Sequence, residues 1–206
     1  MAAFNLSCRL ASKQYDVFIY QPIGMSELTD EQVLALFRDA STKDRAFTLL
    51  MDRYNVRIYW HIRRLVVTHE DAQDLLQETF INVYKHLHTF EGESKLYTWL
   101  YRVATNECLR LLKERKRFLA SFQEIDEKLV HTLHDTTGPE SDQILVQLQE
   151  AILRLPQKQR LVFNLRYYDD LPYDEISKIL DCSVSTLKTN YHLASSKVKA
   201  FMMKEV

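Results

Sequence analysis

Glycine and proline are scarce in this chain, with 3 Gly and 4 Pro among 206 residues. Glycine loosens a helix interior and proline breaks it, so a chain this poor in both can run as long helices almost anywhere. The few breakers are placed informatively. Pro22 and Gly24 fall near the start, Gly92 in the middle, and Gly138–Pro139 between two periodic halves. Pro156 and Pro172 punctuate the C-terminal half, where proline suits a first helical turn or a break between helices. With 46% hydrophobic and 27% charged residues, the remaining composition is that of an ordinary globular protein, long enough for one large or two small domains.

Apolar spacing fills in the helices. Phe47, Leu50, Met51, Tyr54, Ile58, Ile62 and Leu65 mark one helix over about 43–65, and Ala72, Leu76, Phe80, Val83 and Leu87 a second over about 70–87. The second presents Asp71, Asp74, Gln77 and Glu78 on its other face. Thr89–Ser94 is a loop by composition. A third helix, about 95–117, buries Leu100, Val103, Ala104, Cys108 and Leu111, and stacks Arg102, Asn106, Arg110, Lys113 and Arg117 in a polar stripe. Periodicity fades over about 120–141. It returns with Ile144, Leu145, Leu148, Ile152 and Leu155, and again over 160–167. The sharpest local pattern is a helix over 172–180, a turn at Asp181-Cys182-Ser183, and a helix over 184–202, which is helix-turn-helix spacing.

The prediction is an all-α protein of two small helical domains, 25–118 and 141–206, joined by a flexible acidic linker at 119–140. The C-terminal domain carries the helix-turn-helix. Residues 1–24 read differently, with strand-like Tyr15-Asp16-Val17-Phe18-Ile19-Tyr20, while Thr29-Asp30-Glu31-Gln32 has capping-box spacing just after Met25. The first 24 residues are either an upstream extension before a start at Met25 or a floppy tail. They lack the basic start, apolar core and cleavage site of a signal peptide, and no run reaches membrane-span length. Cys8, Cys108 and Cys182 are far apart and form no CxxC pair, which fits a reducing compartment. A cytoplasmic protein without membrane insertion of its own is expected.

The net charge of -1 hides a strong segregation. Residues 70–93 are acidic, 102–117 basic and 124–150 acidic again, a pattern that suggests partners of different charge. In the helix-turn-helix, Ser183, Ser185, Thr186, Lys188, Thr189 and His192 occupy the early turns of the second helix, suited to phosphate anchoring and base-edge hydrogen bonds; a plain helical hairpin with a solvated face is the competing reading. The Arg102–Arg117 stripe follows the loop Phe90–Lys95 and the aromatics Tyr97 and Trp99, where unstacked bases could be received. A cation stripe can also be merely solvated, and Trp99 packs well as core. The histidines of His86-Leu87-His88 and His131–His134 lack a full ligand set, so no metal site is expected. Phosphate-binding glycine loops, nucleophile elbows and HExxH are absent from the sequence. Neither catalysis nor a cofactor is indicated.

In order, these pieces resemble the extracytoplasmic-function (ECF) group of bacterial RNA polymerase sigma factors, from about Glu31 to Phe201. The resemblance rests on Asp71-Ala72-Gln73-Asp74-Leu75-Leu76-Gln77-Glu78-Thr79-Phe80, Phe90-Glu91-Gly92-Glu93-Ser94 and Thr98-Trp99-Leu100-Tyr101-Arg102. The C-terminal half adds Leu155-Pro156, Arg160-Leu161-Val162-Phe163, Leu165-Arg166-Tyr167 and Tyr173-Asp174-Glu175-Ile176. It implies one domain for the promoter's minus-ten element and one for the minus-thirty-five element. Asp71, Asp74, Leu75, Gln77 and Glu78 would dock on core RNA polymerase. Phe90, Glu91, Ser94 and Lys95 would receive a base flipped from the minus-ten strand, and Arg102, Asn106, Arg110 and Lys113 would hold the neighbouring DNA. Ser183, Ser185, Thr186, Lys188, Thr189 and His192 would serve the minus-thirty-five element. The acidic linker would lie in basic channels of the polymerase. An anti-sigma factor, often membrane-anchored in this family, is the further implied partner, and the free protein would be a monomer.

Two departures stand out. Many family members carry several arginines along the recognition helix, where this chain has Asn190, Leu193, Ser195 and Ser196, so fewer phosphate contacts and weaker independent DNA binding are expected. Asp181 stands where glycine is common in the turn, though aspartate tolerates that geometry. The alternatives are a stand-alone helix-turn-helix regulator, in which the acidic helix has no role, and a sigma-like interaction module, in which the cationic stripe is dispensable.

Overall fold

The computed structural model describes residues 28–117, 129–133 and 143–204. Residues 1–24 and all of the predicted linker 119–140 except 129–133 lie outside the described residues. Every regular element among the described residues is helical. Helix α1, Asp30–Arg38, opens on the predicted capping box: the Thr29 amide donates to Gln32 Oε1 at 2.7 Å and the Gln32 amide to Thr29 Oγ1 at 3.3 Å. The Tyr54 hydroxyl donates to Asp30 Oδ2 at 2.6 Å and Arg53 pairs with the same carboxylate, fastening α1 to α2.

Helix α2, Lys43–Val66, buries Ala46, Leu50, Tyr54, Ile58, His61, Ile62, Leu65 and Val66. It ends on Val67 at φ 72, ψ -42, with the Thr68 amide donating to the Val66 carbonyl at 2.9 Å. That is a γ-turn of the strained hand. Thr68 then caps α3, His69–His86, its Oγ1 accepting from the Asp71 amide at 3.2 Å. Phe37, Phe47, Phe80 and Tyr84 join α1, α2 and α3 through edge-on and tilted ring contacts. A short 3-10 turn, Leu87–Thr89, leads to the loop before α4, Leu96–Arg117.

Two core assignments shift by one residue. The sequence predicts Leu76 in the core and Leu75 on the polymerase face; in the structure Leu75 is 3% exposed and Leu76 is half-buried. Ala72, Leu75, Thr79 and Val83 form the inward line of α3, and a step of three instead of four from Ala72 puts Leu75 on it. On α4, Val103 and Leu111 are half-buried, while Tyr101, Thr105 and Leu112 join Leu100, Ala104 and Cys108 inside. Helix α4 buries more of its circumference than an amphipathic surface helix because the C-terminal half packs on it as well.

That half contains α5 (Gln143–Leu153), α6 (Gln157–Tyr167), α7 (Tyr173–Leu180) and α8 (Val184–Met202). The helix-turn-helix is α7, a turn and α8. Asp181 takes the left-handed conformation (φ 49, ψ 54) and donates its amide to the Ser177 carbonyl. Ser177 Oγ closes the turn on the Cys182 carbonyl at 2.7 Å, and Ser183 caps α8 by accepting from the Thr186 amide at 3.3 Å. Ile176, Ile179 and Leu187 are buried as the spacing predicts.

The two halves share one core. Leu161, Val162, Leu165, Ile176, Ile179 and Leu187 belong to the same apolar cluster as Ile58, Ile62, Leu100 and Tyr101, with α7 against α4 and α6 against α2. The helical stretch 129–133, inside the predicted linker, buries Leu129 and Val130 against Val67, Leu112 and Leu153. No described helix is long and apolar enough to cross a membrane.

Candidate nucleic-acid interface

The acidic face of α3 is where the sequence places it. Asp74, Gln77 and Glu78 are exposed. Asp71 is half-buried, tied to the Thr68 hydroxyl and to Arg115 Nη2 at 2.6 Å. Leu75 does not belong to this surface, because it faces the core. The apolar contribution comes instead from a groove of about 650 Å³ between α2 and α3, lined by Phe47, Met51, Leu76, Phe80 and Ile81, with Gln77 at its edge. Ile81 is among the exposed large apolar residues.

The loop from Phe90 to Lys95 turns at Gly92, whose φ of 80 favours glycine over any side chain. Phe90 is 8% exposed and lies against Trp99, ring centroids 5.8 Å apart. It therefore forms the floor of the loop and is not free to receive a base by itself. Glu91 and Lys95 are exposed and Ser94 half-buried, and Lys95 Nζ stands 5.6 Å from the Tyr97 ring centroid. A cleft of about 430 Å³ opens here, lined by Phe90, Glu91, Ser94, Trp99 and Arg102 and, from the other half, by Lys178 and Asp181.

Along α4, Arg102, Asn106, Arg110 and Lys113 all reach the surface; the side chain of Arg117 lies outside the described residues. They are not equivalent. Arg110 is bonded to Glu107 (2.9 Å), Glu114 (3.0 Å) and, across the helix pair, Glu78 (2.5 Å), and these carboxylates raise its pKa further. A cation of the α4 stripe and a carboxylate of the acidic α3 face thus meet. Both side chains are 50% exposed, so each pairing is worth about 0–1 kcal/mol and withholds neither group from a stronger partner.

On the helix-turn-helix, Ser183, Ser185, Thr186, Lys188, Thr189 and His192 are all exposed. Ser183 Oγ lies 3.1 Å from Ser185 Oγ and 2.9 Å from Thr186 Oγ1, giving a hydroxyl cluster at the N-terminus of α8. Thr189 Oγ1 donates to the Ser185 carbonyl at 3.1 Å. One face therefore offers hydroxyls, a lysine and an imidazole with no carboxylate among them, a surface suited to phosphate and base edges.

The sequence reading misses the polar cluster between the halves. Asp169, in the α6–α7 connection, accepts from Arg64 Nη2 (2.5 Å) and the Tyr101 hydroxyl (3.2 Å), and lies 3.3 Å from His61 Nδ1. His61 Nε2 reaches Thr105 Oγ1 at 2.9 Å. Burial by itself would raise the Asp169 carboxyl, but the Arg64 charge and the His61 contact more than reverse it and hold it below the usual carboxylate range. Burial and the same carboxylate push the Tyr101 hydroxyl up. Nearby, Thr98 Oγ1 donates to Glu175 Oε2 at 2.6 Å, both residues buried. The available signal was His61, a polar residue inside the apolar row Tyr54–Ile58–Ile62–Leu65.

Fold and surfaces together are those of an all-helical protein, among the described residues, with a helix-turn-helix and a separate acidic face on α3. Two family models match: Sigma-70 region 2 over residues 50–118 and Sigma-70, region 4 over residues 145–198. The RNA polymerase sigma-H factor of Pseudomonas aeruginosa is 34% identical over 185 residues, covering 83% of this chain and 94% of that protein. The ECF RNA polymerase sigma-E factors of Haemophilus influenzae and Escherichia coli K12 are 31% and 32% identical over 183 residues, each match covering 84% of this chain and 95% of the relative. Among solved structures, the sigma factor RpoE with the anti-sigma factor NepR from Bartonella quintana shares the fold with TM-score 0.61 at 18% identity, over 76% of this chain and 96% of that one. CnrH with the cytosolic domain of CnrY matches with TM-score 0.62 at 19% identity, over 86% and 100%. The chain belongs to the ECF group of sigma-70 family RNA polymerase sigma factors.

Proposed function

We propose that this sigma factor brings core RNA polymerase to promoters through residues 25–118, which engage the polymerase and the minus-ten element, and 141–206, which engage the minus-thirty-five element, with 119–140 as the connection. Asp71, Asp74, Gln77 and Glu78, with the groove beside them, form the polymerase face. Phe90 floors the base-receiving loop and Glu91, Ser94 and Lys95 line its mouth, where holding a flipped base helps melt the duplex. Arg102, Asn106, Arg110 and Lys113 hold the adjacent DNA, and Ser183, Ser185, Thr186, Lys188, Thr189 and His192 read the upstream element. The observation that carries this reading is adjacency: the exposed acidic row of α3 and the cation stripe of α4 lie on packed helices, so one domain presents a polymerase face and a DNA face side by side.

The protein acts in the cytoplasm as an initiation factor without chemistry of its own. An anti-sigma partner is supported by one structural neighbour, the sigma factor RpoE solved with the anti-sigma factor NepR. The test is a pull-down with core polymerase followed by run-off transcription from a library of upstream fragments. Asp74→Lys with Glu78→Lys is expected to abolish core binding while leaving the helical signal intact, since the Glu78–Arg110 bridge is exposed. Undiminished core binding by that variant would refute the docking face; absence of promoter-dependent transcripts from the parent chain would refute the sigma reading.

A further inference from the structure

We propose that the helix-turn-helix recognises thymine in the upstream element by its methyl group, with Leu193 as the specificity-determining residue. This rests on the sigma reading above and deepens its minus-thirty-five surface. Leu193 lies in the third turn of α8 and is 43% exposed. An isolated exposed leucine is ordinary on a protein surface, so its setting decides what it does. The buried line of α8 is Leu187, Ala194 and Val198. At about 3.6 residues per turn, Ser185, Thr189, His192, Leu193 and Ser196 all fall within about 60° of the opposite line. All five are exposed. Leu193 therefore shares one strip of surface with the hydroxyls and the imidazole of the reading face, about 6 Å along the axis from Thr189.

Charge indicates what covers that strip. Helix α8 contains no aspartate or glutamate, and Lys188, Lys197 and Lys199 are exposed. Lys188 and Lys197 flank the strip on opposite sides, each about 80–100° round the helix from its centre line. Lys188 Nζ stands 5.9 Å from the Tyr173 ring centroid of α7, which steadies it at the margin. A carboxylate-free strip between two cationic edges fits a major groove, where base edges form the floor and phosphates the walls. Within that groove thymine alone presents a methyl group; the other base edges are marked by donors and acceptors. A leucine can neither donate nor accept, so it gains from a methyl and penalises a polar edge buried against it. An arginine here would seek guanine; a leucine turns the position to thymine. Thr189 supports the same choice. Its Oγ1 donates to the Ser185 carbonyl at 3.1 Å, so toward the bases it offers an acceptor and no free proton. An acceptor one turn from Leu193 suits an amino group such as N6 of adenine, the partner of thymine.

The test removes the methyl and nothing else. The full chain with core polymerase first selects promoters from the library of upstream fragments. Each thymidine of the selected upstream element is then replaced in turn by deoxyuridine, which keeps every hydrogen-bonding group of the base. Holoenzyme affinity is read by fluorescence anisotropy. The parent should lose about fourfold at one position, the worth of one buried methyl, about 0.8 kcal/mol. Leu193→Ala should be indifferent to the swap at that position, and Leu193→Met, of similar size and equally apolar, should remain sensitive. On the deoxyuridine promoter the parent and Leu193→Ala should bind alike, which separates lost recognition from lost folding. A selected element without thymine, one in which no methyl is sensed, or a Leu193→Ala holoenzyme as methyl-sensitive as the parent would overturn the proposal. A Leu193→Ala loss of equal size on both promoters would overturn it as well, and would assign the leucine to a protein contact. Absence of promoter-dependent transcripts from the parent would instead bring down the sigma reading, and the proposal with it.

Discussion

Val67 offers a sharp test of how the junction between α2 and α3 is held. It is a β-branched residue at φ 72 whose side chain is 1% exposed among Leu112, Leu129, Val130 and Leu153. Backbone strain of this kind costs about 1–3 kcal/mol, and full burial of a valine returns about 1.5–3 kcal/mol. The two nearly cancel, so a turn that glycine would make freely is tolerated with valine in it. In Val67→Ala most of the packing is lost while Cβ keeps the strain, for a net cost of about 2 kcal/mol. In Val67→Gly the packing is lost and unfolded-state entropy adds about 0.5–1 kcal/mol against folding, but the strain is relieved. The expected order is therefore inverted: glycine is no worse than alanine. Val66, buried within the last turn of α2, is the control, where glycine should be worse than alanine by about 1 kcal/mol. Urea denaturation followed by circular dichroism at equal m-value reads both pairs. A Val67→Gly protein less stable than Val67→Ala by 1 kcal/mol or more would show that the turn is unstrained and the reasoning wrong.

Three further outcomes follow from individual side chains. Because the Arg64 charge and the His61 contact, both from α2, outweigh burial and hold the Asp169 carboxyl below its ordinary range, its stabilising contribution is complete above the unfolded value of about 3.9 and fades as pH falls through the lower folded value. The stability gap between parent and Asp169→Asn should thus hold steady from neutrality to about pH 5 and shrink only in stronger acid; a gap that closes by pH 6 would contradict it. Arg102→Ala should lower the salt slope of single-stranded DNA binding by about 0.7, whereas Arg110→Ala, which starts from three carboxylate contacts, should lower it less; equal slopes would mean the network dissolves on binding. Ser183→Ala removes the cap of α8 and should cost about 1 kcal/mol by thermal or urea unfolding, with a loss under 0.3 kcal/mol counting against the capping geometry.

What the sequence disclosed was local. Periodicity located the long helices and the helix-turn-helix, and Thr29 and Gln32 announced the first cap, because each signal lies within a few residues of its consequence. Inward phase was less secure. Adjacent Leu75 and Leu76 both satisfy helical spacing, and only the positions of α2 and α4 decide which one is buried. Phe90 looked like a free aromatic in a loop because its neighbour Trp99 meets it across a turn. The clamp between the halves left no local trace: Asp169 is 108 residues from His61 and 105 from Arg64, and a single acid in a connection carries no pattern of its own.

Charge shows the same division between what is local and what is not. Blocks of alternating sign suggest separate partners, yet the acidic and basic blocks also meet each other on α3 and α4, through Glu78–Arg110 and Asp71–Arg115. Whether such pairing removes a surface from service depends on solvent. At 50% exposure Glu78 and Arg110 remain hydrated, and a bridge of about 0–1 kcal/mol yields to a polymerase or a phosphate. Asp169, with its side chain only 7% exposed, cannot exchange Arg64 for water without first separating the halves. The chemistry of the two pairs is alike, but one leaves both faces free to bind and the other fixes how the domains sit. Burial therefore separates the charges left available to partners from the charge that organises the molecule, a distinction that composition alone does not carry.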